Sequence, residues 1–152
     1  MVSRSSAATR SGHPVTARTP SALCRRPKSN AGSTTRWGTG GTVANCVGAA
    51  TQLAADGIQA EVLNAACIKP LDEEMLVDSA RRTGHVVTVE DHSVHGGLGG
   101  AVSELLAEAH PTLVRRLGVQ GFGESGDHKG LYARHGLDAA GITRATRKFL
   151  GR

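Results

Sequence analysis

The apolar positions of this chain change period several times after Gly38, and each change marks an element. Val43, Val47, Ala50, Leu53 and Ala54 recur at three- and four-residue spacings, which predicts a helix with Gly57 in its C-terminal left-handed position. Ala60–Ala66 is a short apolar run of strand type, prolonged by Ile68 and broken at Lys69–Pro70, where the residue before proline is driven to extended geometry. Asp72 then suits an N-cap, with Glu73 and Glu74 in a first turn where the helix dipole favours anions. That helix is expected to carry Met75, Leu76 and Ala80 inward and to stop near Gly84. Val86, Val87 and Val89 form a β-branched strand ending in Glu90–Asp91. A polar loop with His92, Ser93 and His95 leads into Gly96, Gly97, Gly99 and Gly100, and a helical pattern resumes through Val102, Leu105, Leu106 and Ala109.

Pro111 stops that helix, and Leu113–Val119 makes a further strand. Gly121–Gly130 is a polar glycine loop, Leu131–His135 a helical turn closed by Gly136, and Asp138 the cap of a last helix through Ile142, Ala145 and Phe149. Arg144, Arg147 and Lys148 suit its negative end. Helix and strand alternating in this way predict a three-layer α/β/α sandwich with a mostly parallel sheet. One strand does not show. A glycine turn opening a helix, as at Gly38–Thr42, should follow a buried strand, yet Ser29–Trp37 reads SNAGSTTRW. The first strand is therefore expected to be missing.

Charge divides the chain at the same place. Met1–Trp37 carries seven Lys or Arg and no acid, whereas the remainder carries eleven against thirteen Asp and Glu. The overall basicity thus belongs to the leader and gives no reason to expect nucleic-acid binding by the domain. The leader's apolar groups are too few to offset the entropy of ordering, so residues 1–37 are expected to be disordered, and 38–152 to be the domain. An Arg- and Ser-rich leader without acids also fits a transit peptide, but no amphipathic face accompanies it. Cys24, Cys46 and Cys67 are odd in number and widely spaced, which indicates neither a disulfide framework nor a zinc site. A reducing, cytoplasmic setting is expected, and no run approaches the roughly 20 apolar residues of a membrane span. Both thiols of the domain, Cys46 and Cys67, are expected in the core.

Candidate chemistry gathers in the central loop. Gly38–Val43 and Gly97–Val102 both read G-x-G-x-x-V, lacking the third glycine of a dinucleotide fingerprint. Glu61, the acid some way beyond the first loop, stands at the wrong end of its strand to hold a ribose. Glu90, Asp91, His92 and His95 could ligate a metal or move protons, but no third ligand stands at a recognised spacing. The plainer expectation is a loop whose imidazoles and carboxylates bond to backbone. Arg115 and Arg116, adjacent on a strand, must point to opposite faces.

Taken in order, IKPLD (Ile68–Asp72), VVTVEDHSVHGGLGGAVSELL (Val86–Leu106), LGV (Leu117–Val119), FGESG (Phe122–Gly126) and YARHGLDAAGI (Tyr132–Ile142) resemble the C-terminal domain of transketolase-like proteins. The histidine–glycine loop and FGESG are most similar to the C-terminal subunit of split transketolases, and GLDAAGI is similar to the end of deoxyxylulose-phosphate synthases. The resemblance implies a five-stranded, mostly parallel sheet and a place in a thiamine-diphosphate enzyme that moves two-carbon ketol units between sugar phosphates. It implies that thiamine diphosphate and its divalent metal are held by partner domains, since no GDG segment with a downstream Asn occurs here. Catalytic, cofactor and metal residues are therefore expected nowhere in this chain. Its implied task is to pack on the cofactor-binding domains and support a dimer, through a candidate contact loop of Glu90, Asp91, His92, His95, Gly96, Gly97 and Gly99. A stand-alone interaction or regulatory module, a decayed remnant of the fold, and a small nucleotide-binding domain are the alternatives. The leader departs from the family pattern, so Met1 to about Trp37 is expected not to be native domain sequence, and the isolated chain to be of marginal stability.

Overall fold

The computed structural model describes residues 34–152; the expected leader lies outside them except for its last four residues. Nine elements follow in order: β1 (Thr34–Gly38), α1 (Thr42–Ala55), β2 (Ala60–Asn64), α2 (Glu73–Thr83), β3 (His85–Ser93), α3 (Leu98–Ala109), β4 (Leu113–Val119), α4 (His128–His135) and α5 (Ala139–Phe149). The sheet runs β2-β1-β3-β4 with every neighbour parallel. Helices α2 and α3 cover one face, α1 and α5 the other, so the three-layer α/β/α sandwich expected from the alternation is the observed architecture.

The missing first strand is a correction. TTRWG forms β1, in register with β2 from Thr34 opposite Ala60 to Gly38 opposite Asn64, and with β3 from Thr35 opposite Val86 to Gly38 opposite Val89. The backbone supplies what composition does not, because a strand bonded on both sides satisfies its peptide groups whatever its side chains. Thr35 turns toward α2, where its hydroxyl lies 2.6 Å from Ser79 Oγ and 2.9 Å from Thr83 Oγ1. Ser79 donates in turn to Glu61 on β2 at 2.7 Å, and Arg82 Nη2 bonds the same carboxylate at 2.9 Å. Arg36 is fully buried in the opposite direction, beside Cys46, and its Nε, Nη1 and Nη2 have no partner among the described residues. Burial lowers the guanidinium to about 10 and raises the Cys46 thiol to about 12.

Strand β3 is the spine. Val86 joins Leu76, Ala80, Leu98, Val102 and Leu106 on the α2/α3 side, whereas Val87 and Val89 join Cys46, Ala49, Leu117, Leu137 and Ile142 on the α1/α5 side. The expected caps are in place. Asp72 accepts from Met75 N and Asp138 from Gly141 N, and Gly84 and Gly136 end their helices in left-handed geometry. Helix α1 is clasped to α5 by Thr143 Oγ1 donating to Gln52 Oε1 at 2.9 Å and by the Arg147–Asp56 ion pair.

Several expectations shift. The buried face of α1 is Thr42, Cys46, Ala49 and Leu53, one position round from the predicted stripe, and Val47 is 52% exposed. Met75 and Cys67 face outward, the first at the start of α2 and the second in the loop after β2. Strand β3 runs on to Ser93, and α4 begins at His128, where Asp127 accepts from Gly130 N.

Candidate functional site

In an open parallel sheet, the crevice beyond the carboxyl ends of the strands, where strand order reverses, is where ligands ordinarily sit. Here the reversal falls between β1 and β3, since β1 leads outward through α1 to β2 while β3 lies on its other side. The crevice is bridged by the chain itself. Thr42 Oγ1 donates to Val89 O at 3.0 Å, and Thr39 N donates to the same carbonyl at 3.3 Å.

Glu90 decides what the next loop can do. The carboxylate is fully buried, and it accepts Leu98 N at 2.7 Å on Oε2 and Gly99 N at 3.0 Å on Oε1. These are free amides of the first turn of α3, where the helix dipole stabilises an anion. The chain's own carboxylate thus takes the place that a bound phosphate would take at a glycine-opened helix. Gly97 makes room for it, because a Cβ there would collide with Glu90 Oε2 and the His92 ring. His92 Nε2 lies 3.3 Å from Glu90 Oε2, with the imidazole half in solvent.

A second closure stands over the N-terminus of α1. Tyr132 of α4 donates to Asp91 Oδ2 at 3.0 Å, and the His128 and Tyr132 rings meet at 43° with centroids 4.1 Å apart. A Cβ on Gly41 would meet Tyr132 Oη at 2.9 Å, so glycine there lets the tyrosine lie against the turn. Burial first, and then the Asp91 carboxylate, raise the phenol to about 12.

The seven residues of the expected contact loop are therefore split. Glu90, Gly97 and Gly99 face inward and build the α3 cap, while Asp91, His92, His95 and Gly96 are exposed, Gly96 in left-handed geometry at φ 76°. Val94 is the anchor between them, 7% exposed and bonded through its amide to Val119 O at 3.1 Å. Among the described residues no three His, Cys, Asp or Glu side chains converge in a way that would hold a metal ion. With the free amides of α3 taken by Glu90 and no metal-holding cluster among the described residues, the residues present do not fit a diphosphate and its metal. Arg115 and Arg116 do point to opposite faces, as alternation requires. Arg116 crosses Gly99 and donates to Val94 O at 3.3 Å, and Arg115 lines a cleft on the α5 side. The Asp91–Tyr132 contact escaped the sequence reading; its partners are 41 residues apart, and only the YARHG segment marked the tyrosine.

Comparisons with known proteins agree with this architecture. A solved chain described as a split-gene transketolase, inactive β4 tetramer, superposes with a TM-score of 0.75 at 44% identity, covering 80% of this chain and 40% of that one. The 1-deoxy-D-xylulose-5-phosphate synthase 1 of Geobacter sulfurreducens is 49% identical over 112 residues, 72% of this chain and 18% of that enzyme. The 6-deoxy-6-sulfo-D-fructose transketolase subunit SqwH of Clostridium sp. (strain MSTE9) is 49% identical over 115 residues, 75% of this chain and 36% of that subunit. The chain thus spans well under half the length of these relatives. The family model described as transketolase, C-terminal domain, matches residues 36–142, more than half of the chain. With fold and sequence in agreement, the chain belongs to the transketolase C-terminal domain family.

Proposed function

We propose that this chain is a supporting, non-catalytic domain of a transketolase-like enzyme, inactive alone and completed by a partner that carries the cofactor-binding domains. The observation that carries this reading is the closed crevice. Glu90 fills the anion position of α3, and Tyr132 with Asp91 covers the turn before α1, so the place where an α/β sheet would bind its ligand is taken by the chain itself. What remains outward at that edge is the polar rim of Asp91, His92, Ser93, His95 and Gly96. This rim is the proposed contact surface toward the partner and, through it, toward a dimeric assembly. In this reading thiamine diphosphate and its metal sit in the partner, where they supply the carbanion chemistry of ketol transfer between sugar phosphates. Two of the similar proteins bear the name of subunit or split-gene transketolase, which supports a partner on a separate chain.

The test is reconstitution. The purified chain is expected to show no ketol transfer and no saturable thiamine diphosphate binding, and to enter a stable complex with a subunit bearing the cofactor domains. Ketol transfer by the chain alone would overturn the reading.

A second reading, a decayed remnant of the same fold, is favoured by one observation: the buried guanidinium of Arg36 in a central strand, which has no partner among the described residues. Selection for a stable domain removes such a group, because burying a charge without a partner is costly. A chain that neither pairs with a partner nor unfolds cooperatively would favour this second reading.

A further inference from the structure

Two groups stand apart among the cations of the described region. Arg81, Arg82, Arg134 and Arg147 each face an acid, namely Asp78, Glu61, Glu124 and Asp56. Arg115, Arg144 and Lys148 face none among the described residues, and they meet at one place. Together with His135 and Gln120 they ring a cleft of about 330 Å³ between β4, the end of α4, and α5. No acid lines it.

The cleft is a consequence of the fold rather than of one flexible side chain. β4 is an edge strand, and alternation sends Arg115 and Leu117 to its α5 face. Arg144 and Lys148 stand one turn apart on α5, so both project along the same side of that helix. The floor is Leu117, 9% exposed, with Ala145 and the backbones of Gly136 and Gly141. Gly141 is buried so closely that a Cβ would lie 2.6 Å from the Gly136 backbone, which fixes the distance between the α4 end and α5.

Like charges at i and i+4 repel, and a third cation from the sheet adds to that repulsion. The helix dipole accounts for Lys148 in the last turn of α5 but not for Arg144 in mid-helix or for Arg115 on the strand. A dianion in the cleft satisfies all three. Guanidinium forks and an ammonium match the oxygens of a phosphate, and the apolar floor suits a short carbon chain beside it. The volume lies at the small end of the range for small-molecule sites.

We propose that this cleft is a phosphate-group site, held by Arg115, Arg144 and Lys148, for a small phosphate monoester. It is separate from the closed crevice at the carboxyl ends of β1 and β3, and it requires no cofactor chemistry from this chain.

The experiment is calorimetric titration of the full chain with inorganic phosphate and, separately, with ribose 5-phosphate, at low and high salt. Saturable one-to-one binding that weakens with salt is expected, and the ester is expected to bind more tightly than the bare ion. The double substitution Arg144→Gln with Lys148→Gln should weaken binding by about tenfold or more, as loss of charge-assisted hydrogen bonds predicts. Arg115→Gln should act in the same direction, and Arg134→Gln, outside the cleft, should leave the affinity unchanged. Equal affinity for both anions, lost in the double variant, would still support the site and would identify the free ion as its ligand. Binding undiminished by the cleft variants, or an acidic peptide binding where neither phosphate compound does, would overturn the proposal.

Discussion

Glu90 and Leu98 are joined by a hydrogen bond of 2.7 Å from the Leu98 amide to a carboxylate with no exposure to solvent. The bond ties the end of the central strand to the start of the helix that follows it, across a loop that looks on paper like a ligand-binding glycine turn. Glu90→Gln should cost about 2 kcal/mol, since it replaces charge-assisted bonds to two amides and sets an NH2 donor against donors. Equilibrium urea unfolding of the two proteins, read by far-UV circular dichroism, measures the difference. A variant as stable as the parent would show that the cap is dispensable.

Two glycines three residues apart should respond to alanine in opposite ways. At Gly97 a methyl would strike the Glu90 carboxylate, which is fixed by its own bonds, so Gly97→Ala should lose about 2 kcal/mol or more. At Gly100 nothing lies within 4 Å and the residue is inside α3, so Gly100→Ala should gain about 0.5–1 kcal/mol from helix propensity. Thermal midpoints of both variants decide the point.

Arg36 offers a stabilising substitution in the middle of the sheet. Arg36→Leu removes a desolvated charge whose three nitrogens have no partner among the described residues, and leaves an apolar side chain beside Cys46. Replacing buried ionic groups with apolar ones of similar size gains about 1–4 kcal/mol in known cases, and a rise of that order in unfolding free energy is expected here. A loss of stability would mean that the guanidinium is satisfied in solution.

The same core fixes the alkaline behaviour. Cys46 has its folded pKa raised from 9.0 to about 12, so the native state holds a proton that the unfolded chain releases. Its contribution is complete below pH 9 and is lost as pH rises toward 12. Tyr132, raised from 10.0 to about 12, loses its contribution over the upper part of that window. Arg36 runs the other way, because burial lowers its pKa to about 10 and the penalty of its charge fades as pH climbs above that value. Stability should therefore fall from pH 9 to 10, where Cys46 acts alone, and go on falling toward pH 12, because above pH 10 Tyr132 and Arg36 offset each other and leave the Cys46 slope. In Cys46→Ala the decline between pH 9 and 10 should disappear, whatever the loss at neutral pH. Denaturant midpoints against pH give the test.

Phe122 is 98% exposed in the loop after β4, at the same carboxyl edge as the His92–His95 rim. An aromatic this exposed contributes little to folding, so Phe122→Ser should change stability by no more than about 0.5 kcal/mol. If this edge meets the partner subunit, both Phe122→Ser and His95→Glu should weaken the complex, with Phe122→Ser the larger effect as an aromatic anchor. Surface plasmon resonance against the cofactor-bearing subunit distinguishes an interface from a bare loop.

Much of this fold is written locally. Asp72, Asp138, Gly84 and Gly136 stand where a helix end needs a side-chain acceptor or a left-handed residue, and each occupies the predicted position. Strand β4 runs over Leu113–Val119 as its residues suggest. Strand β1 was invisible because TTRWG has no apolar alternation; its stability comes from two neighbours at distant positions in the chain. The face of α1 was misplaced because Val43, Val47 and Ala50 make as regular a stripe as Cys46, Ala49 and Leu53, and only packing against α5 selects between them. Glu90 bonds to backbone, as expected of a carboxylate in this loop, but nothing in its neighbourhood announces that the chain folds back over it and buries it. The meeting of Arg115, Arg144 and Lys148 is likewise a product of topology, for β4 and α5 touch only once the sheet is assembled.

The sheet order gives β1 a mechanical significance out of proportion to its five residues. β2 reaches the rest of the sheet's ladder only by way of β1. A protease cut or a deletion within Thr34–Gly38 would leave a two-strand remnant on one side and an orphaned strand on the other. Strand β1, which leaves the ribosome before β2 and β3, is thus the keystone that must wait for both to arrive before it bears any load.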